Sequence, residues 1–436
     1  MNSVTQLDTP EVTRLFSNLA LEGNRFNHQP GSLLGCTALV AGTTVGAGIL
    51  ALPAVTLPSG VVPSTVMLIA VWLYALASGL LIAEVNVNAM RSLGRPGVGL
   101  LAMVEGILGK LGARVAGGAY LFLHYALLVA YMSQGGEILL SAFETVGGVS
   151  HILPPWVGTV TFAILFGGIL YFGQARLVEK LNNAFVAIVI ASFVGLLLLG
   201  VTKVNPTQLL SQDWRAISPA VSVMLVALFY HNIIPVVTTQ LEGDVQKIRR
   251  SITIGSIIPL VMFLAWNAVI LGSVSPDMMQ IVSDSSTVFD PLQVLRNGQA
   301  GAWLGVLVSV FSEFAIVTSF IGFVYGLLDF FKDVLDVNPN DNSKRLPLYS
   351  LVLVPSTSLS VLNPSIFFAA LDYAGTFSIS VLGGIIPALM AWKQRYSKQQ
   401  DSIPVMKPLI PGGKVTLVAM IGVALAVMIK QVIWMN

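Results

Sequence analysis

An all-α integral membrane protein of about eleven transmembrane helices is what this chain predicts, on three observations. Of its 436 residues 55% are hydrophobic and only 10% are charged, and the mean hydropathy of +0.81 is far from soluble averages. Apolar runs of about 20 residues, the length that crosses roughly 30 Å of hydrocarbon at 1.5 Å per residue, recur along the chain. The runs are apolar on all sides, whereas barrel strands would alternate in polarity over about ten residues.

In order, the spans read as 33–57, 61–85, 116–144, 156–175, 182–201, 218–238, 252–273, 301–328, 347–362, 366–391 and 414–433. Lys and Arg accumulate on the cytoplasmic side of short loops, which tests that count independently. With the N-terminus inside, 19 of the 23 basic residues fall on the inner side, leaving only Lys203, Arg215, Arg296 and Lys430 outside. One helix more or fewer would scramble the split. The expected location is therefore the cell inner (plasma) membrane, with a cytoplasmic N-terminus and an extracytoplasmic C-terminus.

Residues 1–32 read as a polar cytoplasmic tail without a cleavable signal, so the first span should itself direct insertion. The longest loops are too short to hold a soluble domain. The net charge of +2 is spread over many loops and does not form a nucleic-acid-binding patch. The single cysteine, Cys36, excludes an internal disulfide and fits a small apolar packing residue. No cofactor or metal is expected.

Glycine and proline mark two spans where the helical ladder opens. The first carries Gly42, Gly46, Gly48 and Pro53 in "GTTVGAGILALP"; the sixth carries Tyr230, His231, Asn232 and Pro235 in "ALFYHNIIPVV". They lie five spans apart, as expected for an inverted repeat of 33–201 (helices 1–5) and 218–391 (helices 6–10), with 414–433 as an additional helix. A helix interrupted at the midplane presents free N–H groups and the positive end of a dipole to an anion, and free carbonyls to a cation. Such a break suits an amino acid zwitterion. Glycine at small-xxx-small spacing, as in Gly42 and Gly46, also serves close helix packing.

The stretches "GTTVGAGILALP", "PSG" at 58–60, "NIIPVVTTQLEGD" at 232–244 and "IPLVMFLAWNAVILG" at 258–272 resemble the aromatic amino acid permease family of the amino acid/polyamine/organocation superfamily. The resemblance covers essentially the whole chain. It implies a five-plus-five fold similar to the leucine-transporter type and proton-coupled uptake of tyrosine or tryptophan. Relatives that handle serine or threonine share much of the first-span pattern.

For substrate binding the candidates are backbone N–H groups around Gly46, Ala47 and Gly48, with the hydroxyls of Thr43 and Thr44 nearby. Tyr230, His231 and Asn232 border the same region or bond between helices. Phe229, Tyr230, Phe311 and Phe314 are candidates for an aromatic slot, or for plain packing. Ionisable groups at membrane depth are costly and mark ion pathways, so His231, Glu313 and His124 are the proton-coupling candidates. Ser312, Thr318 and Ser319 keep sodium coupling open, although protons are favoured. Glu84, at the end of the second span, reads as structural. A channel or receptor is the rival class, but no charge ring or repeated filter motif is present. An enzyme is not expected: the two-histidine zinc motif is missing, and His28 and His151 lie outside the spans.

Overall fold

The computed structural model describes residues 14–22, 25–46, 48–94, 97–147, 153–273, 291–296, 302–337, 342–397 and 406–435. Ten of its helices are long and apolar enough to cross a membrane, and a bent pair in the first span brings the number to eleven. That pair is α1 (Leu33–Thr44) and α2 (Gly48–Thr56), inclined at 51°. Spans 2 to 5 are α3 (Val61–Leu93), α4 (Leu100–Gly147), α5 (Pro155–Phe172) and α6 (Ala175–Val201).

The sixth span is α7 (Ala220–Ala227), an interruption, one tight turn at His231–Ile233, and α8 (Ile234–Gln240). Pro235 lies in the first turn of α8, where its missing N–H leaves no bond unmade. Spans 7 to 9 are α9 (Val245–Ser273), α10 (Ala302–Val334) and α11 (Arg345–Leu362). Span 10 runs as α12 (Phe367–Tyr373), a wider-wound π segment over Ala374–Ile385, and α13 (Ile386–Tyr396). The last span is α14 (Gly413–Met435).

Three details extend the sequence reading. The second span runs on to Leu93, so Glu84 lies inside the helix, in a bidentate pair with Arg395 at 2.7 Å on both oxygens. Both side chains are buried, and the pair fixes the end of span 10 against span 2. The third span starts at Leu100 with a break at Gly109 (φ 80°), which sets Leu100–Leu108 off from the membrane-crossing part. In the polar N-terminal tail, β1 (Leu19–Glu22) pairs antiparallel with β2 (Arg25–His28).

Without a hydrophobic force between helices in lipid, packing relies on close approach and internal hydrogen bonds. A Cβ on Gly136 of span 3 would stand 2.5 Å from the backbone nitrogen of Thr159 on span 4. Across spans 1, 2 and 7, buried Thr56 donates to Asn267 Oδ1 (2.7 Å), and the Asn267 amide donates to Ser64 (2.9 Å).

Candidate functional site

The interruption of the first span lies between Thr44 and Gly48. The hydroxyls of Thr43 and Thr44 donate to the carbonyls of Leu39 and Val40, one turn back, at 2.8 Å each. The last ladder bond of α1 runs from Val45 N–H to Ala41 O (3.1 Å), and Ile49 N–H donates to Gly46 O (3.1 Å). Ala47, one of the expected binding residues, lies outside the described residues. A Cβ on Gly48 would stand 2.7 Å from Ala227 Cα, so α2 rests directly on the end of α7. The two interruptions therefore meet: Gly48 opens one half-helix and Ala227 closes another.

Immediately beyond Ala227 the chain unwinds, and the imidazole of His231 stacks on the rings of both Phe229 and Tyr230. His231 is parallel to Phe229 (4.9 Å, 22°) and to Tyr230 (5.2 Å, 20°). The Tyr230 hydroxyl donates to Ala75 O (3.3 Å), and the His231 imidazole approaches the same carbonyl without a well-formed hydrogen bond. Among the described residues neither imidazole nitrogen has a hydrogen-bond partner, although the ring is buried. A buried polar group without partners is costly and marks a functional position. The π segment of span 10 comes close here, since a Cβ on Gly383 would lie 3.6 Å from His231 Nε2. Asn232, by contrast, is exposed.

Span 8 supplies the other wall. A Cβ on Gly46 would stand 2.8 Å from Ser319 Oγ, and the Tyr131 hydroxyl of span 3 approaches the same serine. Both chains run from that contact toward the side carrying the N-terminus. About one turn on, Gly42 and Gly322 each face open space. On the adjoining wall, Phe323 lies edge-on to Tyr131 at 5.7 Å.

The remaining expected residues divide. Phe311 is fully buried against Trp266 (5.1 Å) and Phe193 (5.7 Å), and the Trp266 indole donates to Ile49 O in the first turn of α2 (3.0 Å). It therefore backs the first interruption from behind. Phe314 packs on Phe185 of span 5 (5.1 Å), beside half-buried Glu313. His124 sits elsewhere, in a ring cluster with Tyr120 (3.8 Å) and Phe323 (4.8 Å), its Nδ1 donating to Tyr120 O (2.8 Å). Sequence reasoning missed Tyr131 and the π segment. The one available signal for Tyr131 was a hydroxylated ring in an otherwise apolar stretch, "ALLVAYMS".

The N-terminal half of the first span is tied down by the chain before it. Glu242, buried in the turn after α8 with φ 55°, accepts from Asn18 N–H (2.6 Å) and from His28 Nε2 (2.6 Å). Its carbonyl accepts from Leu15 N–H (2.8 Å), and the Asn18 amide reaches the carbonyls of Thr239 and Gln240 (3.2 Å each). The Cys36 thiol donates to Gln240 Oε1 (3.2 Å), so α1 and α8 are fastened to one another.

The model of the tryptophan/tyrosine permease family matches residues 29–431. The "Tyrosine-specific transport system 1" of Haemophilus influenzae is 29% identical over 388 residues, 88% of this chain and 92% of that protein. The "Tryptophan-specific transport protein" of Pseudomonas aeruginosa is 28% identical over 404 residues, covering 91% and 94%. At 22% identity over 373 residues (85% and 91%), the "Glutamine transporter 2" of Aliivibrio fischeri is similar as well. With a match across nearly its whole length and a multi-pass helical architecture, this chain belongs to the tryptophan/tyrosine permease family.

Proposed function

We propose that the protein is a secondary active transporter that takes up tyrosine or tryptophan together with a proton, by alternating access. The observation that carries this reading is the meeting of two interrupted spans at Gly48 and Ala227. Backbone N–H groups around Gly46 and Gly48 would hold the substrate carboxylate, and carbonyls at the end of α1 the ammonium. Thr43, Thr44 and Asn232 border that point. The ring would lie toward Tyr131, Phe323 and the stacked Phe229 and Tyr230. Burying a phenol or indole there would contribute several kcal/mol, at about 25 cal/mol per Å².

His231 and Glu313 are the proton carriers in this reading, with His124 in a supporting ring cluster. A buried imidazole lacking partners gains most from a change of surroundings when it takes up a proton. Residues 33–201 and 218–391 act as the two inverted halves, and the N-terminus is cytoplasmic, in line with the charge distribution.

The test is uptake of labelled tyrosine into proteoliposomes under an inward proton gradient, with unlabelled tryptophan, phenylalanine, serine or glutamine as competitors. Accumulation that a protonophore abolishes and only aromatic amino acids inhibit is expected. Accumulation driven by sodium would move the coupling to the hydroxyls of Thr318 and of Ser319, the latter against Gly46. No accumulation of any amino acid under either gradient would overturn the transport reading. His231→Gln is expected to keep tyrosine exchange across the membrane while losing its acceleration by an acidic exterior.

A further inference from the structure

A second cavity, of about 320 Å³, opens on the side of the membrane that carries the N-terminus, well away from the two interruptions. It lies where span 2 ends (Ala89–Leu93), where span 10 ends (Lys393–Ser397), and beneath the Leu100–Leu108 segment set off by the turn at Gly109. That places it at the depth of the lipid headgroups. Its lining is apolar at Val98, Ala102, Met103 and Ile107, of which Val98 and Met103 are buried and Ala102 is exposed, and polar at Ser92, Ser397 and exposed Lys393.

The cations at this end of span 10 have different fates. Arg395 is taken by Glu84, and Lys414 sits over the rings of Trp392 and Tyr396 at 5.6 and 5.0 Å. Lys393 makes no ion pair among the described residues. Arg91, Glu105 and Lys110 are neighbours in sequence but do not line the cavity, so Lys393 is the cation among the described residues that does. An ammonium group without an ion-pair partner among the described residues, beside apolar side chains at headgroup depth, is complementary to an anionic phospholipid.

We propose that this cavity is a binding site for an anionic phospholipid, its phosphate at Lys393 and the first acyl carbons on Val98, Ala102, Met103 and Ile107. The site is built on rigid parts. Gln394 is held by Asn88 and by the Val85 carbonyl at 3.2 Å each. Asn86 donates to the Val98 carbonyl (2.7 Å), and its own carbonyl accepts from Thr238 of α8 (2.6 Å). The cavity wall is therefore one side chain removed from the inner half of the sixth span, and an occupant that props the wall also steadies α8.

The experiment compares the full-length protein in nanodiscs of phosphatidylcholine alone and of phosphatidylcholine with phosphatidylglycerol, reading the thermal midpoint and the lipids retained in native mass spectrometry. The proposal expects phosphatidylglycerol to raise the midpoint and to be retained by the wild type. Both effects should be lost in Lys393→Gln and in Ala102→Phe, which narrows the cavity, and kept in Lys110→Gln, outside its lining. Persistence of both effects in Lys393→Gln and Ala102→Phe would overturn it. So would equal loss in Lys110→Gln, which would mean diffuse surface charge, or the same shift from inorganic phosphate alone, which would mean a free-anion site. None of these readings depends on transport.

Discussion

The two halves of the first span are joined by three residues yet are held in opposite ways. From Gly48 to Ala54 every residue of α2 is buried, pressed on α7 at Ala227, hydrogen-bonded to Trp266, and closed at its far end by Thr56 and Asn267. In α1 only one stripe, Cys36, Thr37, Val40, Ala41 and Thr44, is covered, and it leans on span 7 at Gly255. The opposite stripe, including Leu34, Leu39, Gly42 and Thr43, is uncovered. What fastens α1 to the sixth span is a set of polar bonds from the preceding tail to the turn at Glu242. Packed apolar surface with buried hydrogen bonds is costly to open, whereas bonds at the water boundary exchange for water at about 0.5–1.5 kcal/mol each. In the proposed alternating-access cycle, the difference makes α1, with α8, the half expected to move.

Substitutions can break or sharpen that contrast. The largest effect is expected from Gly48→Val, whose side chain would meet Ala227 backbone at under 3 Å. Tyrosine uptake should disappear, and the melting midpoint should fall by an amount typical of overpacking, about 1–3 kcal/mol or more. Next is Trp266→Phe, which leaves the Ile49 carbonyl without its buried donor. It should cost about 1–3 kcal/mol in thermal unfolding, seen as a lower midpoint in differential scanning measurements.

Glu242→Gln is expected to act more gently, because it weakens the charge-assisted bonds from Asn18 and His28 without moving the packed half. The sole cysteine reports it: Cys36 is buried and bonded to Gln240, so the variant should raise its maleimide labelling rate several-fold, as about 1 kcal/mol of weakening gives. Unchanged labelling would remove the fastening role from Glu242. Smallest is Gly42→Ala, whose methyl group meets nothing within 4 Å. It should leave the midpoint within ~0.5 kcal/mol of wild type, and a loss as large as that of Gly48→Val would erase the distinction between the halves.

The span architecture was legible because burial in lipid and the siting of positive charge both act on local composition. Gly42, Gly46, Gly48 and the Tyr230–Pro235 cluster pointed to the right two spans for the same reason, since they weaken a helix locally. What stayed hidden depends on partners far along the chain. Nothing near Glu242 announces Asn18, 224 residues away, and nothing near Tyr131 announces Ser319. Glu84 read as a span terminus because a carboxylate usually ends an apolar run, and its buried place becomes affordable only once Arg395 arrives from span 10. The wider winding of Ala374–Ile385 has no periodic signature in "AGTFSISVLGGI".

The most direct test of a mobile α1 is a distance measurement between spin labels at Leu39 on α1 and Leu335 beyond the end of span 8, both exposed, in a Cys36→Ser background. Tyrosine added with an acidic exterior should shift the population toward a shorter separation, as α1 closes over the open space at Gly42 and Gly322. A single distance, unmoved by substrate or proton gradient while the same protein transports, would contradict the account.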